Sequence, residues 1–217
     1  AQAAAASRDL VGLTVFSEAG TAVTKPARTR VHAVRMLRTL GEAAAFDAEL
    51  AERTARAAAL EATALGIHWT FAPVVDVARD QRWGRVVEGA GEDPCLGRVL
   101  AAARVRGFQG RDLRRPEAML ATLKHFAAYG AVQGGMDYAS AEVSEATLAD
   151  VHLPPFEAGV RTGVGAVMTA YNDIAGIPAT GHRRLLTEVL KRQWGFAGLV
   201  VSDFASDVEM VSHGFAA

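Results

Sequence analysis

Apolar and polar positions along this chain alternate between two periods. From Asp47 to Ala64 an Ala-rich stretch is amphipathic at helical spacing, with Asp47 suited to cap its start and Gly66 to stop it. The apolar run Trp69-Thr70-Phe71-Ala72-Pro73-Val74-Val75 follows directly and reads as a buried strand. A second helix is predicted from Pro94, whose fixed φ suits a first helical turn, towards Val105. A strand over Ala118–Lys124 comes next. The following helix opens at Ser144, with Thr147 where a capping box would carry glutamate. Pro154 and Pro155 divide that stretch, so a second piece runs through Phe156–Arg161. A strand over Gly165–Ala170, a helix over Arg183–Gln193 and a strand over Leu199–Ser202 complete the series. Such alternation predicts right-handed crossovers and a parallel sheet.

Spacing narrows the kind of sheet. Strand ends fall roughly 30 to 50 residues apart, as in barrel units with inserted loops. No G-x-G-x-x-G follows a strand and no G-x-x-x-x-G-K-[ST] occurs, so both standard nucleotide-binding loops are excluded. A complete barrel takes about 250 residues, and this chain has 217. The expected fold class is therefore α/β, an incomplete TIM-like (β/α)8 barrel.

Composition adds mainly exclusions. A net charge of −1 and a pI near 6.7 give no electrostatic reason to expect nucleic acid or a membrane as partner. No stretch approaches the roughly 20 apolar residues of a membrane span. The single Cys95 rules out an internal disulfide and reads as an incidental helix residue. The first residues, Ala1-Gln2-Ala3-Ala4, lack the charged and apolar regions of a signal peptide. The six histidines are scattered, and neither a metal site nor a cofactor is expected.

The candidate chemistry sits where the strands end. Gly198-Leu199-Val200-Val201-Ser202 breaks onto Asp203. Other segments end at Lys124-His125-Phe126 and at Met168-Thr169-Ala170-Tyr171-Asn172, and Arg79-Asp80-Gln81-Arg82-Trp83-Gly84-Arg85 follows the first strand. In barrel enzymes, catalytic side chains occupy this rim. Each residue also has a plain structural reading. Asp203 is placed to cap a helix beginning near Ala205-Ser206-Asp207-Val208, and Lys124-His125 reads equally as a loop or core pair. Arg85 reads as a rim ion pair with Glu88 or Glu92, Tyr171 as a half-buried tyrosine and Trp83 as packing beneath its loop. Asp76 and Asp80, beside Arg79 and Arg82, read as loop-ordering ion pairs outside the catalytic set.

Taken together, these segments resemble glycoside hydrolase family 3, and within it the bacterial periplasmic β-glucosidases. The resemblance rests on Trp69–Asp80, Arg82-Trp83-Gly84-Arg85 with Glu88 and Gly91-Glu92-Asp93-Pro94, Lys124–Gly130, Met168–Asn172, Trp194-Gly195-Phe196, Leu199–Asp203 and His213–Ala217. Order and spacing agree from about residue 42 to the end, so the resemblance implies a partial barrel over 42–217 without the family's second domain, preceded by a divergent or rearranged N-terminal segment over 1–41. The resemblance implies that Asp203 is the nucleophile of a retaining double displacement. It implies that Tyr171 supports that carboxylate and that Arg85, Lys124 and His125 bind sugar hydroxyls. The lysine's charge would help keep Asp203 ionised, and Trp83 is the candidate for an apolar sugar platform. Periplasmic or secreted placement is likewise implied, with β-linked glucosides or oligosaccharides as partners.

Two departures qualify the resemblance. The family's Asp-x-x-His-Gly segment has only Thr29-Arg30-Val31-His32-Ala33 as a counterpart, so the aspartate that binds outer hydroxyls is replaced by Thr29. No general acid is nominated. Family β-glucosidases take it from a second domain. The family's hexosaminidase branch uses an Asp-Ser-His loop, and no histidine follows Asp137 here; Glu142 and Glu145 read as the polar approach to a helix. Three functional readings follow: a retaining β-glucosidase lacking its general acid/base within this chain, a truncated sugar-binding or poorly folded barrel fragment, and a Schiff-base barrel lyase using Lys124. Exposed barrel edges are expected to favour self-association.

Overall fold

A computed structural model describes residues 11–17, 20–27 and 47–216. The chain divides into two compact units, 1–50 and 51–217. In the first unit, β1 (Val11–Ser17) and β2 (Gly20–Ala27) form an antiparallel hairpin that the sequence reading did not predict. Thr14 pairs with Val23 and Phe16 with Thr21, and a bulge lies between Val11 and Leu13. Thr29 and the rest of the Thr29–Ala33 counterpart lie outside the described residues.

The second unit is part of a barrel in which parallel strands alternate with helices. β3 (Thr122–Phe126), β4 (Ala166–Thr169) and β7 (Leu199–Val201) lie side by side in that order. Residues 69–75 lie along the other edge of β3. Parallel bridges join Trp69 to Leu120 and Val74 to Lys124, but no unbroken ladder forms. One cause is local: Pro73 has no N–H to donate to the ladder. The predicted strand over Ala118–Lys124 is shifted forward, and β3 carries His125 and Phe126 into the rim. A second hairpin, β5 (Asp173–Ile174) with β6 (Ile177–Pro178), follows β4.

The helices begin where the capping chemistry places them. α1 (Ala48–Ala64) starts beneath a hydrogen bond from Leu50 N to the Asp47 carboxylate (2.8 Å), and Gly66 beyond its end takes a positive φ of 84°. α2 (Pro94–Gln109) is capped by Asp93, which accepts from Cys95 N at 2.8 Å, and it runs one turn past Val105. At its end, the buried Gln109 side chain donates to Gly163 O (2.9 Å) and accepts from Gly165 N (2.8 Å), pinning the helix to the start of β4. The helix expected at Ser144 is one short turn, Glu145–Thr147, that widens over Leu148–His152 into π-type turns; Leu153 N bonds to Leu148 O. α3 (Pro154–Arg161) follows, then α4 (Arg184–Gln193), also with π-type turns, and α5 (Ser206–Ser212).

The core lies between the outer helices and the sheet. Leu123, Phe126 and Val167 from the strands meet Val105, Phe156, Leu185 and Leu190 from α2, α3 and α4, and Phe126 packs edge-on against Phe156 at 5.1 Å. Gly159 is required here, since a Cβ on it would come within 2.5 Å of Leu123 Cδ1. Both outer edges of this sheet carry exposed apolar side chains: Trp69 and Phe71 on one, Leu199 and Val200 on the other. No helix among the described residues is long and apolar enough to cross a membrane.

Candidate active site

β3 delivers Lys124 and His125 to the rim through an irregular end. The Lys124–His125 and Phe126–Ala127 peptide bonds are cis, and Ala128 has φ of 62°. His125 turns into the protein and is 1% exposed. Its backbone N and its ring Nδ1 both lie 2.9 Å from one oxygen, Asp76 Oδ2. An ionised carboxylate only accepts, so Nδ1 carries a proton towards Asp76. The ring is thereby fixed, and Nε2 stands 3.5 Å from Asp203 Oδ2.

This arrangement corrects the reading of Asp76 as a loop-ordering partner of arginine. Asp76 is buried and holds the site histidine. Its sequence signal was its place immediately after the Val74-Val75 strand end, where barrel chemistry gathers. Asp80, in contrast, pairs with Arg82 through both carboxylate oxygens, which holds its carboxyl down at about 2.

Asp203 follows β7 and accepts from Phe204 N at 2.8 Å. It does not cap α5: Ala205 occupies the cap position, and Ser206 N bonds to the Asp203 carbonyl rather than its carboxylate. The Tyr171 hydroxyl donates to Phe204 O at 2.7 Å, one residue beyond Asp203. Loss of solvent and the nearby Asp203 carboxylate push the Tyr171 hydroxyl up to about 12, so it stays protonated.

Arg85 sits at the opposite side of the cluster. Its Nε and Nη2 engage Glu88 at 2.8 and 3.0 Å, the ion pair the plain reading anticipated. That hydrogen bonding raises the Arg85 guanidinium further and, with added help from Lys124 and His125, lowers Glu88. Lys124 itself is half-buried.

One residue absent from the predicted set joins the others. The buried Tyr129 ring lies 5.1 Å from the His125 ring and 6.2 Å from the Tyr171 ring, with Arg85 Cζ at 5.8 Å. Burial, and then the neighbouring Asp137 carboxylate, raises its hydroxyl pKa. Trp83 is buried against Tyr129, and its Nε1 donates to Asp137 at 3.2 Å; it packs beneath the loop and offers no sugar platform. The structure thus brings His125, Asp203 and Tyr171 together, with Arg85 and Lys124 beside Glu88. A cavity of about 540 Å³ opens next to Tyr171, lined also by Tyr138, Glu142, Thr180, Glu209 and His213, while the other predicted residues lie outside it. Among the described residues no cluster of His, Cys, Asp and Glu suits a metal ion.

A partial parallel barrel that gathers Asp, His, Lys, Arg and Tyr at its strand ends has the arrangement of the barrel enzymes, whose catalytic side chains occupy that rim. Residues 26–216 match the family model for the glycosyl hydrolase family 3 N terminal domain, and the chain belongs to that family. It is 42% identical over 179 residues to a periplasmic beta-glucosidase of Salmonella typhimurium, covering 82% of this chain and 23% of that protein. It is 39% identical over 165 residues to a beta-xylosidase of Formosa agariphila, covering 74% and 23% respectively. The beta-glucosidase of Listeria innocua, whose structure has been solved with glucose, superimposes with a TM-score of 0.76 at 42% identity, over 79% of this chain and 24% of that one. The chain therefore spans about a quarter of the length of these relatives.

Proposed function

We propose that this chain carries the nucleophile and part of the sugar-binding surface of a retaining β-glucosidase, with Asp203 as the nucleophile. The observation that carries the reading is the 3.5 Å approach of His125 Nε2 to Asp203 Oδ2, with the other face of the imidazole held on buried Asp76. A carboxylate and a sugar-hydroxyl partner then share one small volume at the strand ends. The Asp203 carboxylate attacks the anomeric carbon and the C–O bond to the leaving group breaks as its oxygen takes up a proton. Water then cleaves the glycosyl ester, giving net retention.

The remaining residues have supporting parts. With Nδ1–H directed at Asp76, the His125 ring leaves Nε2 facing the space beside Asp203, where it can engage a sugar hydroxyl. Lys124 and Arg85 supply donors to neighbouring hydroxyls. Tyr171 fixes the Phe204 carbonyl and so the turn that bears the nucleophile. The proton donor is assigned to residues outside this cluster. Terminal β-D-glucosyl groups are the proposed substrate, in keeping with the Salmonella and Listeria relatives, and β-xylosides are the comparison that the Formosa relative demands. A periplasmic or secreted location is proposed on the Salmonella likeness.

Azide rescue tests the reading. The Asp203→Gly variant, given an aryl β-glucoside with a good leaving group and sodium azide, is expected to release α-glucosyl azide, because the small anion enters from the vacated nucleophile face. Release of β-glucosyl azide, or equal turnover by wild type and variant without azide, would contradict it.

A further inference from the structure

The turn that carries Asp203 is held from behind. Ala205, two residues on, takes a left-handed φ of 59°, a conformation that a residue with a Cβ keeps only where its surroundings impose it. Ala205 also occupies the cap position of α5 and has no side-chain oxygen to offer the first turn. The restraint comes from three hydroxyls. Ser206 Oγ lies 2.9 Å from Thr180 Oγ1, and Thr180 Oγ1 lies 2.9 Å from Thr169 Oγ1 at the end of β4. Thr169 is 1% and Ser206 5% exposed, so this chain of hydrogen bonds is enclosed at both ends. Thr180 joins its two neighbours because one hydroxyl donates and accepts at once, and the Ala170 carbonyl, at 3.4 Å, is a further acceptor for it.

The backbone explains how Thr180 reaches this place. The β5–β6 hairpin reverses the chain after Asn172, and Ala179 N donates to Asn172 O at 3.0 Å, which sets the turn Ala179–Gly181 beside the end of β4. The same turn abuts α5, since a Cβ on Gly181 would come within 3.1 Å of Met210 Cε and Sδ. We infer that Thr180 is a positioning residue for the nucleophile turn: its hydroxyl ties Ser206 to Thr169 and so fixes the backbone from Asp203 to Ser206 against the end of β4. Ser206 N closes that turn on Asp203 O at 3.0 Å, and the Tyr171 hydroxyl holds its middle through Phe204 O at 2.7 Å. With both ends and the middle restrained by other groups, the Asp203 carboxylate is not drawn into capping α5. The consequence for chemistry rests on the proposed role of Asp203, but the anchor is a property of the folded chain and has a readout without turnover.

The test is backbone amide exchange, followed by 1H–15N spectroscopy on the full chain as wild type, Thr180→Val, Thr180→Ser and Ser206→Ala. Phe204 N–H is bonded to the Asp203 carboxylate at 2.8 Å and Ser206 N–H to the Asp203 carbonyl, so both report on the turn. Val75 N–H and Ala166 N–H, bonded to Lys124 O and Ala121 O, report on the barrel as a whole. Thr180→Val keeps the shape and removes the hydroxyl. It should speed exchange at Phe204 and Ser206 about tenfold and leave Val75 and Ala166 within about twofold, while Thr180→Ser should restore all four. An activated 2-deoxy-2-fluoro-β-glucoside should label Asp203 of Thr180→Val with a maximum rate about tenfold lower at an unchanged half-saturating concentration. Four results would overturn the inference: wild-type exchange at the turn in folded Thr180→Val, a rise shared equally by the barrel amides, no recovery in Thr180→Ser, or labelling of Thr180→Val at the wild-type rate. If Thr180→Val does not fold, Ser206→Ala, which breaks only the last link, decides by the same four amides. A folded wild-type chain that takes no label would sink the proposed function, and the exchange pattern would still decide the anchor.

Discussion

Removing the Asp76 carboxylate should unsettle fold and site together, and the two substitutions that remove it differ in a calculable way. Asp76 Oδ2 accepts both the backbone N–H and the Nδ1–H of His125, each at 2.9 Å, with both side chains essentially enclosed. Asp76→Ala leaves two buried donors without an acceptor, at about 1–3 kcal/mol each. The expected loss is about 2–6 kcal/mol, a large part of the 5–15 kcal/mol that holds a typical domain together. Asp76→Asn keeps shape and one carbonyl acceptor. It loses the charge assistance of two bonds, about 1 kcal/mol each, and recovers some of that by no longer burying a charge. Urea denaturation followed by far-UV circular dichroism reads both values. The asparagine variant should fall between wild type and alanine, and an activated 2-deoxy-2-fluoro-β-glucoside should label its Asp203 more slowly, because His125 is less firmly oriented. An Asp76→Ala midpoint within error of wild type would refute the buried Asp76–His125 pairing.

Two further outcomes are expected. Gly107→Ala, normally favourable in a helix by about 1 kcal/mol, should instead destabilise by about 1–3 kcal/mol, since its Cβ would fall 2.3 Å from Glu52 O and 2.6 Å from Ala55 Cβ where α1 crosses α2; equal or higher thermal stability would contradict that close crossing. Acid should weaken the fold through His152, whose folded pKa of about 4 lies below its unfolded value of 6.5. The unfolded chain binds the extra proton, so this contribution is complete above pH 6.5 and is lost as pH falls towards 4, by about 3 kcal/mol at most. His152→Gln should show a correspondingly flatter decline in urea titrations across that range; buried His182, also lowered by loss of solvent, adds a smaller slope of the same sign to both proteins.

Much of this architecture is written in short-range signals. Asp47 and Gly66 bracket α1, Pro94 opens α2, and Pro154 with Pro155 divides the helical stretch after Ser144, because caps and imino acids act over a few residues. The ends of β4 and β7 were legible as apolar runs that stop near polar residues, whereas the run Ala118–Lys124 placed β3 too early along the chain. Less legible was anything set by pairing. The run 69–75 reads as a strand, yet Pro73 leaves it bound to β3 only at separated points. The wide turns of Leu148–His152 and Arg184–Gln193 carry no composition of their own. In the site, the ion pair of Arg85 with Glu88 lies three residues apart and was foreseen. The bond from His125 to Asp76 spans 49 residues, whereas the nearby Arg79 offers only a local pairing that the fold does not use. Tyr129, which touches three site residues, lies within the matching segment Lys124–Gly130 but has a role only once the strands are assembled.

The most direct measurement is intact mass of the full chain after incubation with an activated 2-deoxy-2-fluoro-β-glucoside, followed by peptide mapping. The good leaving group lessens the need for a proton donor, and the fluorine slows breakdown of the glycosyl ester. One sugar per chain, mapped to Asp203 and absent in Asp203→Asn, is the expected result. A folded wild-type chain that acquires no label, or one labelled elsewhere, would contradict Asp203 as the nucleophile.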